Sequence, residues 1–316
     1  MTKTNPTFTS PESDLFPEDA PAADPISTRQ TYLKRSRSGY TKIRSAFVQV
    51  PPSTARAGSK PAMLPVFARN HRAAVLYLAV LRNWTWLSRS DEALPADTWI
   101  RFLKSDKPNA LTWTTQSLSH AWKVLEDNKL VTRKLENRLK KVTPLQESGS
   151  GSSYASPDGS RSSVYFVLPD EFWTQELHAT FSWPELAVLL ILLKESSGRP
   201  WAELSVDRAQ RYYGISRSTA EDGLRGLRDK GFLTSRDRFV TDPDAAEGRR
   251  MTSLHVLAAP FSTSYRQDLQ EAARERRDAS SVAATPSNPE KQKKSKKKPK
   301  KPREVVDDER AKEAKA

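Results

Sequence analysis

Apolar residues recur at helical spacing in two separate parts of the chain, and both parts predict the same order of elements. In each part, three amphipathic helices are followed by strand-like segments. The predicted helices cover residues 70–84, 96–104 and 114–128 in the first part, and 183–195, 206–213 and a segment that begins after Ser216 in the second. An order that recurs along one chain favours two related structural units.

Shorter alternating segments predict the strands. In the first part, residues 43–50 and 133–142 predict strands, and 163–168 predicts the strand that returns after a mobile Ser- and Gly-rich loop at 146–162. In the second part, two strands predict a hairpin, at 232–240 and 250–257. A β-element is therefore expected after the third helix of each unit.

The two third helices align without a gap, from Trp113 to Val131 and from Ile215 to Leu233. Three helices followed by a hairpin resemble the winged-helix domain, and the second of these stretches resembles the recognition segment of MarR-like and GntR-like bacterial regulators. The resemblance covers about residues 45–260, taken as two copies. It implies that each third helix enters the major groove of DNA.

The predicted fold is α+β, mainly α, with two tandem winged-helix domains between disordered flanks. The expected domains are a disordered N-terminal arm at 1–42, a first winged-helix domain at 43–168, a second at 169–262, and a charged helix with a disordered lysine-rich tail at 263–316. The strand at 163–168 is expected to join the two domains closely, without a flexible tether.

The chain carries a net charge of +14, and most of the excess lies in its flanks. Residues 31–60 hold seven basic and no acidic side chains, and residues 291–303 hold nine basic ones, whereas 61–290 is nearly balanced. Basic flanks suit a polyanion, because each neutralised phosphate releases condensed counterions. The alternative for the lysine-rich run is a solubilising segment of low complexity without a partner.

The resemblance and helical geometry together indicate which side chains face DNA. In the first unit they are the helix residues Thr114, Thr115, Gln116, Ser117, Ser119 and Lys123 and the basic strand residues Arg133, Lys134, Arg138, Lys140 and Lys141. In the second unit they are the helix residues Ser216, Arg217, Ser218, Thr219, Asp222 and Arg225 and the hairpin residues Arg236, Arg238, Arg249 and Arg250. The alternative for each is a solvated polar face without a ligand.

Side-chain chemistry assigns roles within this set. Arg217 suits bidentate contact with guanine and Gln116 suits adenine, whereas Ser218 and Thr219 suit phosphates or a thymine methyl group. The five basic strand residues of the first unit surround the single Glu136, whereas acidic residues offset the arginines of the second hairpin. We therefore expect the first hairpin region to supply more salt-dependent affinity and the second helix to supply more base contacts.

No residue pattern indicates catalysis, a metal site or a cofactor. The chain has no cysteine and four scattered histidines, which argues against a metal centre. It lacks a Walker-type phosphate loop, a His-Glu-x-x-His pair and a Gly-x-Ser-x-Gly elbow. We expect a protein that is not an enzyme and that takes no cofactor or small-molecule ligand. Its eight tryptophans fit core packing and element junctions better than base stacking.

Targeting signals are also missing from the sequence. No apolar run approaches the length of a bilayer span, and the acidic N-terminus lacks the order of a signal peptide. We expect a cytoplasmic, nucleoid-associated protein without a membrane partner.

Two functions remain after these exclusions. The first is a transcriptional regulator that binds double-stranded DNA. The alternative is a plasmid or mobile-element replication initiator, or a partition or segregation protein, because tandem winged helices in one chain resemble plasmid initiators. The outward residues of the two third helices differ, which favours non-identical half-sites about one helical turn apart. A homodimer or higher oligomer on DNA is compatible with either function.

Overall fold

A computed structural model describes residues 20–49, 62–161 and 163–283. Within these ranges the fold is α+β, with eleven α-helices and seven strands in small antiparallel sheets. One compact unit comprises Met1–Arg274, and a second comprises Glu275–Ala316. The sequence-predicted class, α+β and mainly α, is confirmed at this level.

The elements have the following bounds. The helices are α1 (Pro25–Arg35), α2 (Leu64–Phe67), α3 (His71–Ser90), α4 (Ala96–Leu103), α5 (Thr115–Asp127), α6 (Glu171–Thr174), α7 (Leu177–Thr180), α8 (Trp183–Glu195), α9 (Val206–Tyr213), α10 (Arg217–Asp229) and α11 (Thr263–Ala283). The strands are β1 (Tyr40–Arg44), β2 (Val131–Glu136), β3 (Leu139–Pro144), β4 (Tyr165–Pro169), β5 (Ala202–Glu203), β6 (Leu233–Thr241) and β7 (Arg249–Leu257).

Three helices precede an antiparallel hairpin twice along the chain, as α3-α4-α5 before β2-β3 and as α8-α9-α10 before β6-β7. Hydroxyl caps explain where four of these helices begin. Thr114, Ser182, Ser205 and Ser216 each accept a hydrogen bond from the backbone N–H three residues later. Such caps satisfy N–H groups that have no partner within the helix. The six helices lie where they were predicted, to within one residue at each predicted end except that α3 continues six residues beyond the predicted residue 84.

The N-terminal segment is ordered where a disordered arm is predicted. Helix α1 begins after Asp24, whose carboxylate accepts from the Ser27 N–H at 2.9 Å, and β1 pairs with β4. The fully buried Arg29 anchors α1, because its guanidinium lies 2.5 Å from a carboxylate oxygen of Glu176. The prediction of disorder is therefore wrong for residues 20–42. Polar contacts with residues that are distant in the sequence hold this segment in an ordered conformation, although it lacks apolar periodicity. Residues 1–19 lie outside the described residues.

The first hairpin, β2–β3, is tighter than the sequence predicts. The predicted single strand at 133–142 is wrong, because Asn137 and Arg138 turn the chain with φ of 48° and 67°. Two central residues with positive φ are typical of a type I′ turn, whose twist matches that of the flanking strands. Strand β4 does not return to this hairpin, since its partner is β1. Strand β1 itself ends at residue 44, so the predicted strand at 43–50 is also misplaced.

The loop predicted to be mobile is packed against the core. Glu147 is fully buried, and its carboxylate receives the guanidinium of Arg44 at 2.5 Å. The Tyr77 hydroxyl donates to the Leu145 carbonyl at 2.8 Å at the start of the loop. Burial raises the pKa of the Glu147 carboxyl, and Arg44 opposes that shift. A paired and buried charge fixes this part of the loop in place.

The two three-helix units share one hydrophobic core. The rings of His71 in α3 and Trp183 in α8 lie 6.2 Å apart, and buried apolar residues of both units belong to one continuous cluster. Helices α3 and α8 are buried along most of their lengths. The predicted close junction of the units thus agrees with the packing of the described residues.

Helix α10 approaches α8 at unusually short range. A Cβ at Gly223 would lie 2.3 Å from the Pro184 carbonyl oxygen and 2.5 Å from a methyl group of Val188. Only glycine avoids this overlap, because it has no side chain. Gly226 is a second such position, where a Cβ would lie 2.8 Å from Cγ of Glu185, so the orientation of α10 on α8 depends on residues without a Cβ.

Helix α11 is anchored more firmly than its charged sequence suggests. The buried Arg266 donates to the carbonyls of Leu193 and Ser196, at 3.1 and 3.0 Å, at the end of α8. The charged helix predicted from residue 263 is present as a continuous helix that ends at Ala283. The lysine-rich run predicted as a disordered tail lies outside the described residues.

Candidate nucleic-acid interface

Helix α5 separates an apolar face from a polar one. Its buried side carries Leu118, Ala121, Trp122 and Leu125. Its opposite side exposes the predicted residues Thr115, Gln116, Ser119 and Lys123. Two further predicted residues, Thr114 and Ser117, cap the start of the helix. The Ser117 hydroxyl accepts from the Thr114 N–H at 2.8 Å, and the Thr114 hydroxyl accepts from the Ser117 N–H at 3.1 Å. The first turn thus combines a rigid cap with free polar side chains.

Helix α10 has the same division with different outward residues. Ala220, Gly223, Leu224 and Leu227 are buried, whereas the predicted residues Arg217, Ser218, Asp222 and Arg225 are exposed and Thr219 is half-buried. Ser216 caps the helix by accepting from the Thr219 N–H at 3.1 Å. The outward face of α10 therefore offers guanidinium, carboxylate and hydroxyl groups, whereas that of α5 offers an amide, an ammonium group and hydroxyls.

Two arginines on α10 already have carboxylate partners on the surface. Arg217 pairs with Asp207 of α9, and Arg225 lies 3.4 Å from Asp222. Arg217 and Asp207 are both more than 60% exposed. Exposed ion pairs of this kind contribute little to the free energy of folding. A stronger acceptor can therefore replace the carboxylate at small cost.

The predicted cations of the first hairpin fall into two groups, those with and those without an ion-pair partner among the described residues. Arg133 forms a two-pronged pair with Glu126 of α5, at 2.9 and 2.7 Å, and Lys141 pairs with Asp91. Lys134, Arg138 and Lys140 make no ion pair with any described residue and are exposed. The first two cations hold the hairpin against the helices, so the three unpaired ones are those available to an external anion.

The second hairpin, β6–β7, places its arginines on both faces. Arg236 lies opposite Leu254, Arg238 opposite Thr252 and Arg250 opposite Val240. Residues directly opposite each other share a face, as do alternate residues of one strand, so these three arginines lie on one face of the hairpin. Arg249 lies on the other face, 4.3 Å from the centre of the exposed Phe239 ring. Arg250 pairs with Asp242 at 3.1 Å and Arg249 with Glu247 at 3.6 Å, which leaves Arg236 and Arg238 without an ion pair in the described part of the chain. The predicted offset by acidic residues thus applies to two of the four arginines.

A basic cavity beside α5 was not predicted. It encloses about 500 Å³ between the first turns of α3 and α5, and its lining includes Arg69, Arg72, Gln116 and His120. The sequence signal is the cluster of cations at the start of α3. That signal is weak, because nothing local brings this cluster to the polar face of a helix that begins over forty residues later.

Other kinds of site receive no support from the described ranges. Within them, no cluster of three or more His, Asp or Glu residues is placed to hold a metal ion. None of the described helices combines the length and apolarity that a bilayer span requires. No protein-family model matches the sequence, and no curated protein is significantly similar to it.

Proposed function

We propose that this protein binds double-stranded DNA sequence-specifically through two unlike winged-helix modules and acts as a transcriptional regulator. The modules are α3 to β3 and α8 to β7. The observation that carries the proposal is the double occurrence of a hydroxyl-capped helix with a buried apolar side, a polar outward first turn and a basic hairpin after it. Each part alone is common, and the combination repeated in order is what supports the proposal.

The dimensions of DNA fit these helices. The major groove of B-DNA is about 12 Å wide and admits one α-helix, whose N-terminal turns reach the base edges. Gln116 in the first turn of α5 matches the donor and acceptor pair of adenine, and Arg217 at the start of α10 matches the two acceptors of guanine. The DNA must displace Asp207 from Arg217, and both groups are exposed enough for that exchange.

The hairpins supply the contacts that do not depend on sequence. Lys134, Arg138 and Lys140 lie at or near the tip of the first hairpin, and Arg236 and Arg238 share one face of the second. Unpaired cations on a projecting hairpin suit phosphates or the minor groove. The first hairpin is proposed to make the larger electrostatic contribution, since it has three such cations against two.

A binding comparison on a selected duplex tests this function. The full chain is first used to retain duplexes from a random-sequence pool, and affinity for the retained duplex and for a scrambled one is then measured. Gln116→Ala and Arg217→Ala should each lower the preference for the selected duplex by about 1–3 kcal/mol, because one bidentate base contact is lost.

Arg211→Ala is the matched control, since Arg211 is an exposed arginine in the last turn of α9. It should leave the preference unchanged. A wild-type chain that retains no sequence from the pool contradicts the proposed function. Variants that keep the full preference contradict the two residue assignments.

Replication initiation is a second candidate, favoured by one observation. The outward faces of α5 and α10 differ, while both helices belong to the same compact unit. A single chain that reads two different half-sites suits the non-palindromic, iterated sites of an origin. A genome-wide binding map separates the candidates, because one cluster of sites at an origin supports initiation and scattered promoter sites support regulation.

A further inference from the structure

The segment Pro65–Arg72, here called the bridging segment, lies between the starts of α5 and α10. At one end, Pro65 packs on Gly214, where a Cβ would lie 2.7 Å from the proline ring. Gly214 ends α9, two residues before Ser216, the capping residue of α10. At the other end, Arg69 and Arg72 line the cavity whose far wall is α5. One short segment thus contacts the turn that leads into α10 and faces the first turns of α5 across the cavity.

The bridging segment packs on Trp183. The rings of Phe67 and His71 each lie 6.2 Å from the ring of Trp183 at the start of α8. Burial lowers the pKa of His71 to about 4, and the nearby Arg72 acts in the same direction. His71 is therefore a neutral packing residue at neutral pH, and it adds no charge to the cavity.

The two arginines of the segment have different surroundings. Arg72 donates through Nε to the Thr112 carbonyl at 2.8 Å and through Nη2 to the Thr112 hydroxyl at 3.3 Å, so it fixes the chain that leads into α5. Arg69 is exposed and makes no ion pair or side-chain hydrogen bond within the described part of the chain. A free guanidinium therefore stands at a cavity whose remaining wall includes the polar Gln116, Ser117 and His120.

We propose that the bridging segment is a third DNA contact, in which Arg69 binds a backbone phosphate between the two half-sites. This inference rests on the proposed function. When two helices occupy successive segments of the major groove, the DNA backbone between those segments faces the part of the protein that lies between the two helices. In this protein that part is the bridging segment. A guanidinium is the side chain best matched to phosphate oxygens, because it donates two parallel hydrogen bonds.

A phosphate contact has a defined signature in the salt dependence of binding. Each contacted phosphate adds about 0.9 to the slope of log affinity against log salt concentration. Arg69→Gln should lower the slope by about one and weaken binding roughly fivefold at 0.15 M salt, on selected and scrambled duplexes alike. The matched control is Arg89→Gln, an exposed arginine near the other end of α3, about 25 Å from Arg72 at 1.5 Å per residue.

Neutral methylphosphonates placed one at a time between the half-sites identify the phosphate. The wild-type chain and the Arg89→Gln variant should lose affinity at one or two positions there, and Arg69→Gln should be insensitive at those same positions. Equal sensitivity of Arg69→Gln and wild type at every position overturns the inference. A wild type that does not bind the selected duplex overturns the proposed function instead, so the two failures are distinguishable.

The same guanidinium chemistry would also suit a free phosphate ligand. Thermal unfolding with inorganic phosphate or a nucleotide as the probe separates the two sources. The inference predicts the same small response for the wild type and Arg69→Gln. A rise in Tm that requires Arg69, together with an unchanged salt slope for DNA, assigns the cavity to a free ligand and overturns the DNA contact.

Discussion

At the scale of single residues, four buried arginines hold elements together without forming a binding site. Arg29, Arg44 and Arg82 each pair with a carboxylate at 2.5 Å. Arg266 has no carboxylate partner among the described residues and binds carbonyls at the C-terminal end of α8, where the helix dipole favours a cation. Burial lowers its pKa to about 10, which leaves it charged at neutral pH. These cations stabilise the fold and are not available to DNA.

Replacing Arg266 should destabilise the protein. Arg266→Met removes the hydrogen bonds that the buried guanidinium donates to the Leu193 and Ser196 carbonyls, and we expect the free energy of unfolding to fall by about 2–4 kcal/mol. Urea denaturation followed by circular dichroism measures the loss. Arg274→Met, an exposed change on the same helix, should cost less than about 0.5 kcal/mol. Equal unfolding curves for the two variants contradict the anchoring role.

At the scale of elements, the packing of α10 on α8 determines how the outward face of α10 is presented. The contact at Gly223 is so close that any side chain pushes the helices apart. Helix α10 carries the guanidinium of Arg217, so its orientation and the placement of that group are coupled. A change in this packing should therefore affect stability and DNA preference together.

Gly223→Ala tests that coupling. The added methyl group overlaps the Pro184 carbonyl, and we expect a loss of about 1–3 kcal/mol in the free energy of unfolding with a weaker preference for the selected duplex. Gly198→Ala is the control, because a Cβ there has no neighbour within 4 Å. The coupling is refuted if Gly223→Ala is as stable and as selective as that control.

The two hairpins should differ in their electrostatic contribution to binding. Neutralising Lys134, Arg138 and Lys140 to Gln should lower the salt slope by about 0.9 for each phosphate that is lost. The matched comparison neutralises Arg133 and Lys141, which are already paired with Glu126 and Asp91. That variant should change the slope less per charge removed. An equal change per charge would show that the internal pairs do not determine which cations meet DNA.

Local signals located the helices of the two units, but not α1, α2, α6 or α7 and not every β-element. Hydroxyl caps and apolar periodicity place the six helices of the two units, because both are encoded within a few residues. The first hairpin was missed since its turn, Asn137–Arg138, lacks the glycine that usually marks a type I′ turn. The positions predicted to face outward on α5 and α10 are exposed except Ser117 and Thr219, which are half-buried.

Contacts between distant residues account for the remaining differences. Glu147 pairs with Arg44 and Glu176 with Arg29, and no local pattern links either pair. The cavity between α3 and α5 was not predicted for the same reason. Its cations are visible in the sequence, but their position opposite Gln116 depends on the packing of the folded chain.

At the scale of the whole molecule, buried histidines couple the shared core to pH. Burial lowers the pKa of His71 to about 4, that of His178 to about 3, and that of His255 below its usual value. The folded protein holds these rings neutral, whereas the unfolded chain takes up protons near pH 6.5. Stability is thus fully present above that pH and is lost as the pH falls towards the folded-state values.

The free energy of unfolding should accordingly fall between pH 7 and 5, a window above the usual carboxyl range. The slope should reach at most about 1.4 kcal/mol per pH unit for each histidine that is neutral only when folded. Denaturation series at several pH values measure it. His178→Gln should reduce the slope, and His120→Gln, an exposed change in α5, should leave it as it is. Constant stability across this window contradicts the account of the buried histidines.

The two modules belong to one compact unit, so they should meet DNA as one body. Shared core contacts such as His71 with Trp183 leave no flexible tether between them. The spacing of the two half-sites should therefore be fixed, and insertion of a few base pairs between them should abolish simultaneous binding.

The most direct measurement is a hydroxyl-radical footprint of the full chain on a duplex retained from the random pool. The account predicts two protected patches of different sequence about one helical turn, or roughly 10 base pairs, apart. Protection between them should weaken in the Arg69→Gln variant. A single patch, two identical patches or uniform protection along the duplex would contradict binding through two unlike modules.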